Sequence, residues 1–326
     1  LWATDGTENG TYLVKDIRGE DSNGNNYGSS PSGFTVTGDT MYFFAYDNEH
    51  GSEPWMTDGT ANGTRMLKDI REGESSSSYG CDPIMAECDS SFQPFYKFGD
   101  QIFFTADDGS HGTEIWVTDG TANGTQMFKD IREENSDGYN YGSTYCYYQE
   151  CFFEFGDKLW FRADDGIHGS ELWYTEGTAN TTFMFADIRE ENSDGYNYGS
   201  NPYFSFMMED YFYFRAHDGD AYRLFMTDGK QMIMDLEVYS DDVYIGETVM
   251  FDGEFYMSLY TQPTGYELWK SDGTSEGTVM VHEFQSGSSS GRPSDFFVVN
   301  DDVLFMRAEL NSYRNIFAYA VEHYEI

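Results

Sequence analysis

The chain has 326 residues, with 58 acidic against 18 basic side chains and a net charge of −40. Such a field repels nucleic acid and anionic membrane surfaces and favours cations, basic partners or a saline medium, and no apolar run approaches the roughly 20 residues of a spanning helix. Aromatic content of 18% with 34 glycines suits an all-β chain rich in turns, and the length suits one large domain, 1–326.

Residues 1–17 begin with "LWATDGTENGT" and hold only two short strand patterns. The same stretch returns as "PWMTDGTANGT" from Pro54, "IWVTDGTANGT" from Ile115, "LWYTEGTANTT" from Leu172, "LFMTDGK" from Leu224 and "LWKSDGTSEGT" from Leu268, with an eroded copy, "IFAYAVEH", from Ile316. The aromatic positions Trp2, Trp55, Trp116, Trp173, Phe225, Trp269 and Phe317 recur at intervals of 44–61 residues, the range of propeller repeats. Within a repeat, as in Phe98–Ile131, four short aromatic and β-branched runs, A to D, are separated by turn residues. Asp-Gly between the last two runs is a hairpin signal, because glycine accepts positive φ and aspartate bonds its own backbone.

Full A–D units begin near Phe34, Phe95, Phe152, Phe204, Val249 and Phe296. Four-stranded sheets with two apolar faces need a neighbour on each side, which radial stacking into a β-propeller supplies. The expectation is therefore an all-β propeller of four-stranded antiparallel blades: a seven-bladed ring with an incomplete N-terminal blade (1–17), or a six-bladed ring with an extra hairpin. The half-blade start predicts a fragment of a longer chain.

"GTEIWVTDGTANGTQMFKDI", "GSELWYTEGTANTTFMFADI" and "GYELWKSDGTSEGT" resemble the ELWxxDGT-repeat proteins, secreted or surface β-propellers. The resemblance implies the fold and export; it implies no single chemistry. The fifth and last repeats depart from it.

Cys81, Cys88, Cys146 and Cys151 fall as two close pairs in D–A insertions. Three pairings exist; local ones, Cys81–Cys88 and Cys146–Cys151, are the simplest, and disulfides place a protein outside the cytosol. Asn9, Asn62, Asn123 and Asn180 are N-glycosylation acceptors at one place in the C–D turn, although Asn, Gly and Thr there are also good turn residues.

Two kinds of acidic loop offer oxygen ligands of the type Ca²⁺ takes. "ADDGSHGTE" and "ADDGIHGSE" carry Asp107, Asp108, Glu114 and Asp164, Asp165, Glu171, while "DIREENSDGYNYGS", which occurs twice, carries Glu133, Glu134, Asp137 and Glu190, Glu191, Asp194. The latter six are the candidate metal ligands, Ca²⁺ the candidate cofactor, and solvated acidic turns the competing reading. Arg71, Arg132 and Arg189 are expected to pair locally, and His50, His111, His168 and His217 to be turn histidines.

Polar motifs that recur blade after blade behave as structural devices, whereas a catalytic site needs distinct roles converging on one pocket. No enzyme is expected; a propeller glycoside hydrolase is the weakest of the readings. The leading expectation is a non-enzymatic extracellular structural protein, a self-assembling subunit of a surface filament or matrix with other extracellular proteins or glycans as partners. Its alternative is a secreted carbohydrate- or protein-binding adhesion module using loops such as Gly138–Glu150.

Overall fold

The computed structural model describes all residues except 21–22, 26, 74, 78–93, 134–142, 144–150, 190–197, 209–210, 237–242, 275, 300–302, 311–312 and 321–326. The described chain is all-β and its sheets are antiparallel throughout. The first repeat is a hairpin of Trp2–Ala3 and Tyr12–Leu13. Each of the next five is a four-stranded sheet in the order A-B-C-D: from Ser32–Thr37 to Arg65–Met66, Tyr96–Phe98 to Gln126–Lys129, Phe152–Phe155 to Thr182–Ala186, Tyr203–Met208 to Met232–Leu236, and Val243–Phe251 to Val279–His282. The seventh, expected to be a full blade, has three strands among the described residues: Ser294–Val299, Val303–Leu310 and Tyr313–Ala320. The eroded "IFAYAVEH" copy begins within the last of these.

Contacts group the chain into two compact units, Leu1–Asp187 with Gly195–Gly199, and Ile188–Asp194 with Ser200–Ile326. Within each, strand B is covered on both faces: Phe43, Phe103, Phe104, Phe212 and Phe214 are completely buried. The repeat tryptophan carries the packing from one sheet to the one before it. Trp116 lies against Tyr42, Phe44 and Leu67, Trp173 against Phe103, Ile115 and Val117, and Trp269 against Tyr213 and Leu224. Removing one such side chain costs about 3–5 kcal/mol.

In the first unit the K-D-I-R stretch ties each sheet to the next. Lys15, Lys68 and Lys129 donate to the carbonyls of Thr64, Thr125 and Thr182 in the following C–D turn, at 2.6, 3.0 and 2.9 Å. Arg71 and Arg132 pair with Asp107 and Asp164 of the following B–C turn, each at 2.9 Å. Ala186 stands where a fourth lysine would.

The T-D-G-T-x-x-G-T turn is fully accounted for by its own hydrogen bonds. Asp119 Oδ1 accepts from the Thr121 amide at 2.9 Å and hydroxyl at 2.7 Å, and the Thr121 hydroxyl accepts from the Gly124 amide. Thr125 Oγ1 donates to Thr121 O, so in the buried Thr118–Thr125 hydroxyl pair, 2.7 Å apart, Thr118 is the donor; its oxygen in turn accepts from Gly120 N. Gly120 has φ +87°, which an L side chain rarely adopts. Gly124 is required by space, since a Cβ there would lie 2.0 Å from Asp119 Oδ1.

The fourth repeat shows the same constraint answered differently. Glu176 replaces the aspartate and Thr181 the crowded glycine; the Thr178 hydroxyl, freed from its aspartate, meets the Thr181 hydroxyl at 2.9 Å, and Ala179–Thr181 closes as a 3₁₀ turn. The two changes are therefore coupled. Gly124→Thr alone should cost roughly 1–3 kcal/mol in chemical denaturation, because it expels the Asp119 carboxylate from its bonds. Asp119→Glu with Gly124→Thr should cost less than the sum of the single changes by at least about 0.5 kcal/mol; strict additivity would refute the coupling.

Candidate functional site

The acidic residues of the B–C turns have structural partners. Asp107 and Asp164 face the arginines named above, and the Asp108 and Asp165 carboxylates each meet the following histidine ring at 2.7 Å. That contact raises the His111 and His168 pKa values above the ordinary one. Burial works to raise Asp108 and Asp165, but the bonds from the backbone and ring of His111 and His168 outweigh it and hold both below the usual value. Glu114 and Glu171, placed by sequence among oxygen ligands for Ca²⁺, are completely buried, as are Glu53 and Glu267.

These glutamates fasten the chain that leaves strand D. Glu53 accepts from the amides of Ile70 and Ser77, Glu267 from those of Phe284, Gln285 and Gly291, and Glu114 Oε2 from the Ile131 amide and, at 2.5 Å, the Ser143 hydroxyl. Ser77 and Ser143 then pass the link onward: their carbonyls accept from Asp107 N and Asp164 N in strand B of the next sheet, each at 2.8 Å. Burial pushes Glu53 up to about 8 and Glu114 up to about 7. Sequence reasoning missed this role, although a glutamate at fixed register opposite a strand-B alanine (Ala45, Ala106, Ala163) was a signal for it.

Of the candidate metal ligands, Glu133 is exposed, and Glu134, Asp137, Glu190, Glu191 and Asp194 lie outside the described residues, as do Cys81, Cys88 and Cys146. Among the described residues no group of three or more His, Cys, Asp or Glu could hold a metal ion. Cys151 is half-buried against the Phe103 and Phe152 cluster, and no cysteine among the described residues is free. Asn9, Asn62, Asn123 and Asn180 are all exposed in C–D turns. The threonines two positions on, Thr64, Thr125 and Thr182, are buried and bonded to a second threonine, so turn structure alone accounts for them.

One constellation belongs to no repeat device. In the fifth repeat Tyr222 and Arg223 stand where other repeats have a small polar residue and the buried glutamate, and Arg223 pairs with Asp218 of its own turn. In the sixth, Tyr260 and Tyr266 face each other across the register position that Asp107 and Thr113 occupy in the third. Tyr222 and Tyr244 lie against Arg215, and Tyr260 and Tyr266 continue the row of rings from Tyr244. The Arg215 Cζ lies 3.7 Å from the Tyr222 ring centroid and 3.9 Å from that of Tyr244. Tyr244 packs edge-on to Tyr260 at 5.6 Å, Tyr260 meets Tyr266 at 5.2 Å, and His217 meets Tyr222 at 5.0 Å. The Gly219 amide donates to His217 Nδ1, which makes that ring nitrogen the acceptor.

Burial pushes the Tyr266 phenol up, opposed by the charge of Arg215; the neighbouring phenols Tyr244 and Tyr260 add to the rise and Arg292 opposes it. Every member of the cluster comes from the end of the sheets that carries B–C turns and D–A links. An arginine stacked on aromatic rings, with in-plane donors that no protein acceptor takes, can receive a ligand.

No protein-family model matches the chain, and no curated protein does. Among solved structures it is similar to a puromycin hydrolase mutant (10% identity, TM-score 0.41, 85% of this chain and 43% of that one) and to a puromycin-hydrolyzing peptidase of Mycobacterium tuberculosis (9%, 0.44, 89% and 44%). It is also similar to prolyl oligopeptidase B of Galerina marginata (10%, 0.39, 90% and 42%). The chain spans less than half the length of each. The expectation of a non-enzymatic filament or matrix subunit, with its adhesion-module alternative, is corrected: the three structures named here are a hydrolase and two peptidases, and at 9–10% identity the likeness bears on fold alone. No helix among the described residues is long and apolar enough to cross a membrane.

The buried glutamates give stability a definite pH sign. Glu114 is neutral in the folded chain up to about 7 and ionises from the ordinary 4.5 when unfolded, so its contribution is complete below 4.5 and is lost as pH rises towards 7. Glu114→Gln keeps the accepting oxygen and places its amide at Oε1, which has no partner. Between pH 4.5 and 7 the denaturation free energy of wild type should fall more steeply than that of the variant; parallel profiles would contradict the assignment.

Proposed function

We propose that the chain is a β-propeller recognition domain whose ligand docks at the end of the blades bearing the B–C turns and D–A links, beside Arg215. The observation that carries this is selective: the recurring polar motifs are consumed by turns and ties between sheets, and the repeat is abandoned in favour of a Tyr–Arg cluster at that end of the fifth and sixth repeats. A seven-bladed ring of ELWxxDGT type is part of the proposal. It is supported by one hydrogen-bond scheme serving the turns at Asp5, Asp58, Asp119 and Asp272. An extracellular setting is supported by the exposed sequon asparagines and by the half-buried Cys151, which is not a free thiol.

A thermal-shift screen of small carboxylates, phosphates, amines and oligosaccharides, followed by hydrogen exchange with the strongest stabiliser, tests the reading. Protection is expected at residues 215–223, 243–246 and 260–267. Protection confined to the C–D turns, or no stabiliser in any class, would contradict it.

A further inference from the structure

We infer that Arg215 is the anchor of a carboxylate-binding site, its ligand a planar carboxylate on an aromatic or apolar stem; the inference rests on the recognition end proposed above. Tyr222 and Tyr244 both lie against the guanidinium, their rings tilted 41° to each other with centroids 6.4 Å apart, and no protein acceptor among the described residues takes its in-plane donors. Those donors match two coplanar carboxylate oxygens. The Nε of Arg215 is buried without a hydrogen-bond partner, and no carboxylate of the protein pairs with this arginine among the described residues.

Arg18 supplies the internal comparison. It too lies over two tyrosine rings, Tyr27 at 5.0 Å and Tyr46 at 4.5 Å, but its Nε donates to Asn48 Oδ1 and its Nη1 to Gly28 O. That arrangement is a closed structural bracket. The Arg215 bracket has the same rings, drawn closer, and lacks the acceptors.

Around the open edge, Tyr260 and Tyr266 extend an aromatic wall, and the exposed Arg292 adds a second positive charge, its backbone amide held by Tyr266 O at 3.0 Å. A singly charged carboxylate suits the site better than a phosphate dianion: it lies flat against the guanidinium edge, tolerates flanking rings, and is repelled less by a net charge of −40.

Calorimetric titration with benzoate and, separately, inorganic phosphate at about 0.15 M salt, where the Debye length is about 8 Å, provides the test. Benzoate should bind saturably and more tightly than phosphate. Arg215→Met, with an unchanged near-ultraviolet circular dichroism spectrum, should weaken it at least tenfold, and Arg215→Lys, which keeps the charge but not the fork, severalfold. Tyr244→Leu removes one wall of the bracket and gives a second reading, with a severalfold loss, should the arginine variants not fold. Absence of benzoate binding, tighter phosphate binding, or undiminished affinity in Arg215→Met or Tyr244→Leu would overturn the inference. An amine or sugar that protects the same residues in exchange would sink the carboxylate class while leaving the recognition end intact.

Discussion

A carboxyl group buried out of water is costly unless it is hydrogen-bonded, and that cost organises the second, third and sixth repeats. The glutamate that opens strand C has nowhere to find donors except the backbone leaving strand D, so the D–A link must fold back over it. In the second, third and sixth repeats the amides of Ile70, Ile131 and Phe284 occupy the same place relative to the glutamate, seventeen residues on. Once the link is fixed, its serine can hand a carbonyl to the next strand B, and the lysine and arginine of K-D-I-R fall within reach of the next turns. The buried glutamate thus converts four strands that would otherwise be a free-standing sheet into a unit with a defined exit.

The same logic explains where a binding site can arise. A repeat that spends its strand-C glutamate on the link and its strand-B aspartate on the preceding arginine has no polar group left to offer. The fifth repeat has Arg223 at the glutamate position and His217 at the aspartate position, and the sixth has Tyr260 there. There the aspartate position takes an aromatic ring, His217 or Tyr260, whose area and polar tip suit contact with a ligand, while the sixth repeat keeps Glu267 on the link.

The strands, the blade pattern and the packing tryptophans were legible because they are periodic: alternation fixes which face is buried, and recurrence fixes the unit. Asp-Gly identified the hairpin for the right reason, a glycine at positive φ. The second glycine of the motif was less legible, since its necessity comes from a carboxylate five residues earlier, a contact that only three dimensions bring about. Glu114 and Glu171 were misread as loop ligands because a glutamate next to an Asp-Asp-Gly turn looks solvated in one dimension; its cross-strand partner is an alanine, and that places it inside. The Tyr–Arg cluster was illegible for a different reason: its members span residues 215–292, Arg215 stands at the same strand-B position as Arg162, and the tyrosines appear in sequence only as departures from a repeat.

Amide hydrogen exchange of the native chain, resolved to single residues, tests the central claim most directly. If buried glutamates hold the links, the amides of Ile70, Ser77, Ile131, Phe284 and Gly291, all outside strands, should exchange as slowly as those of the strand-B cores around Phe43, Phe103 and Tyr256. Exchange at the rate of the exposed turn amides of Thr60 and Thr121 would contradict the account, because it would leave the glutamates buried without the bonds that justify their burial.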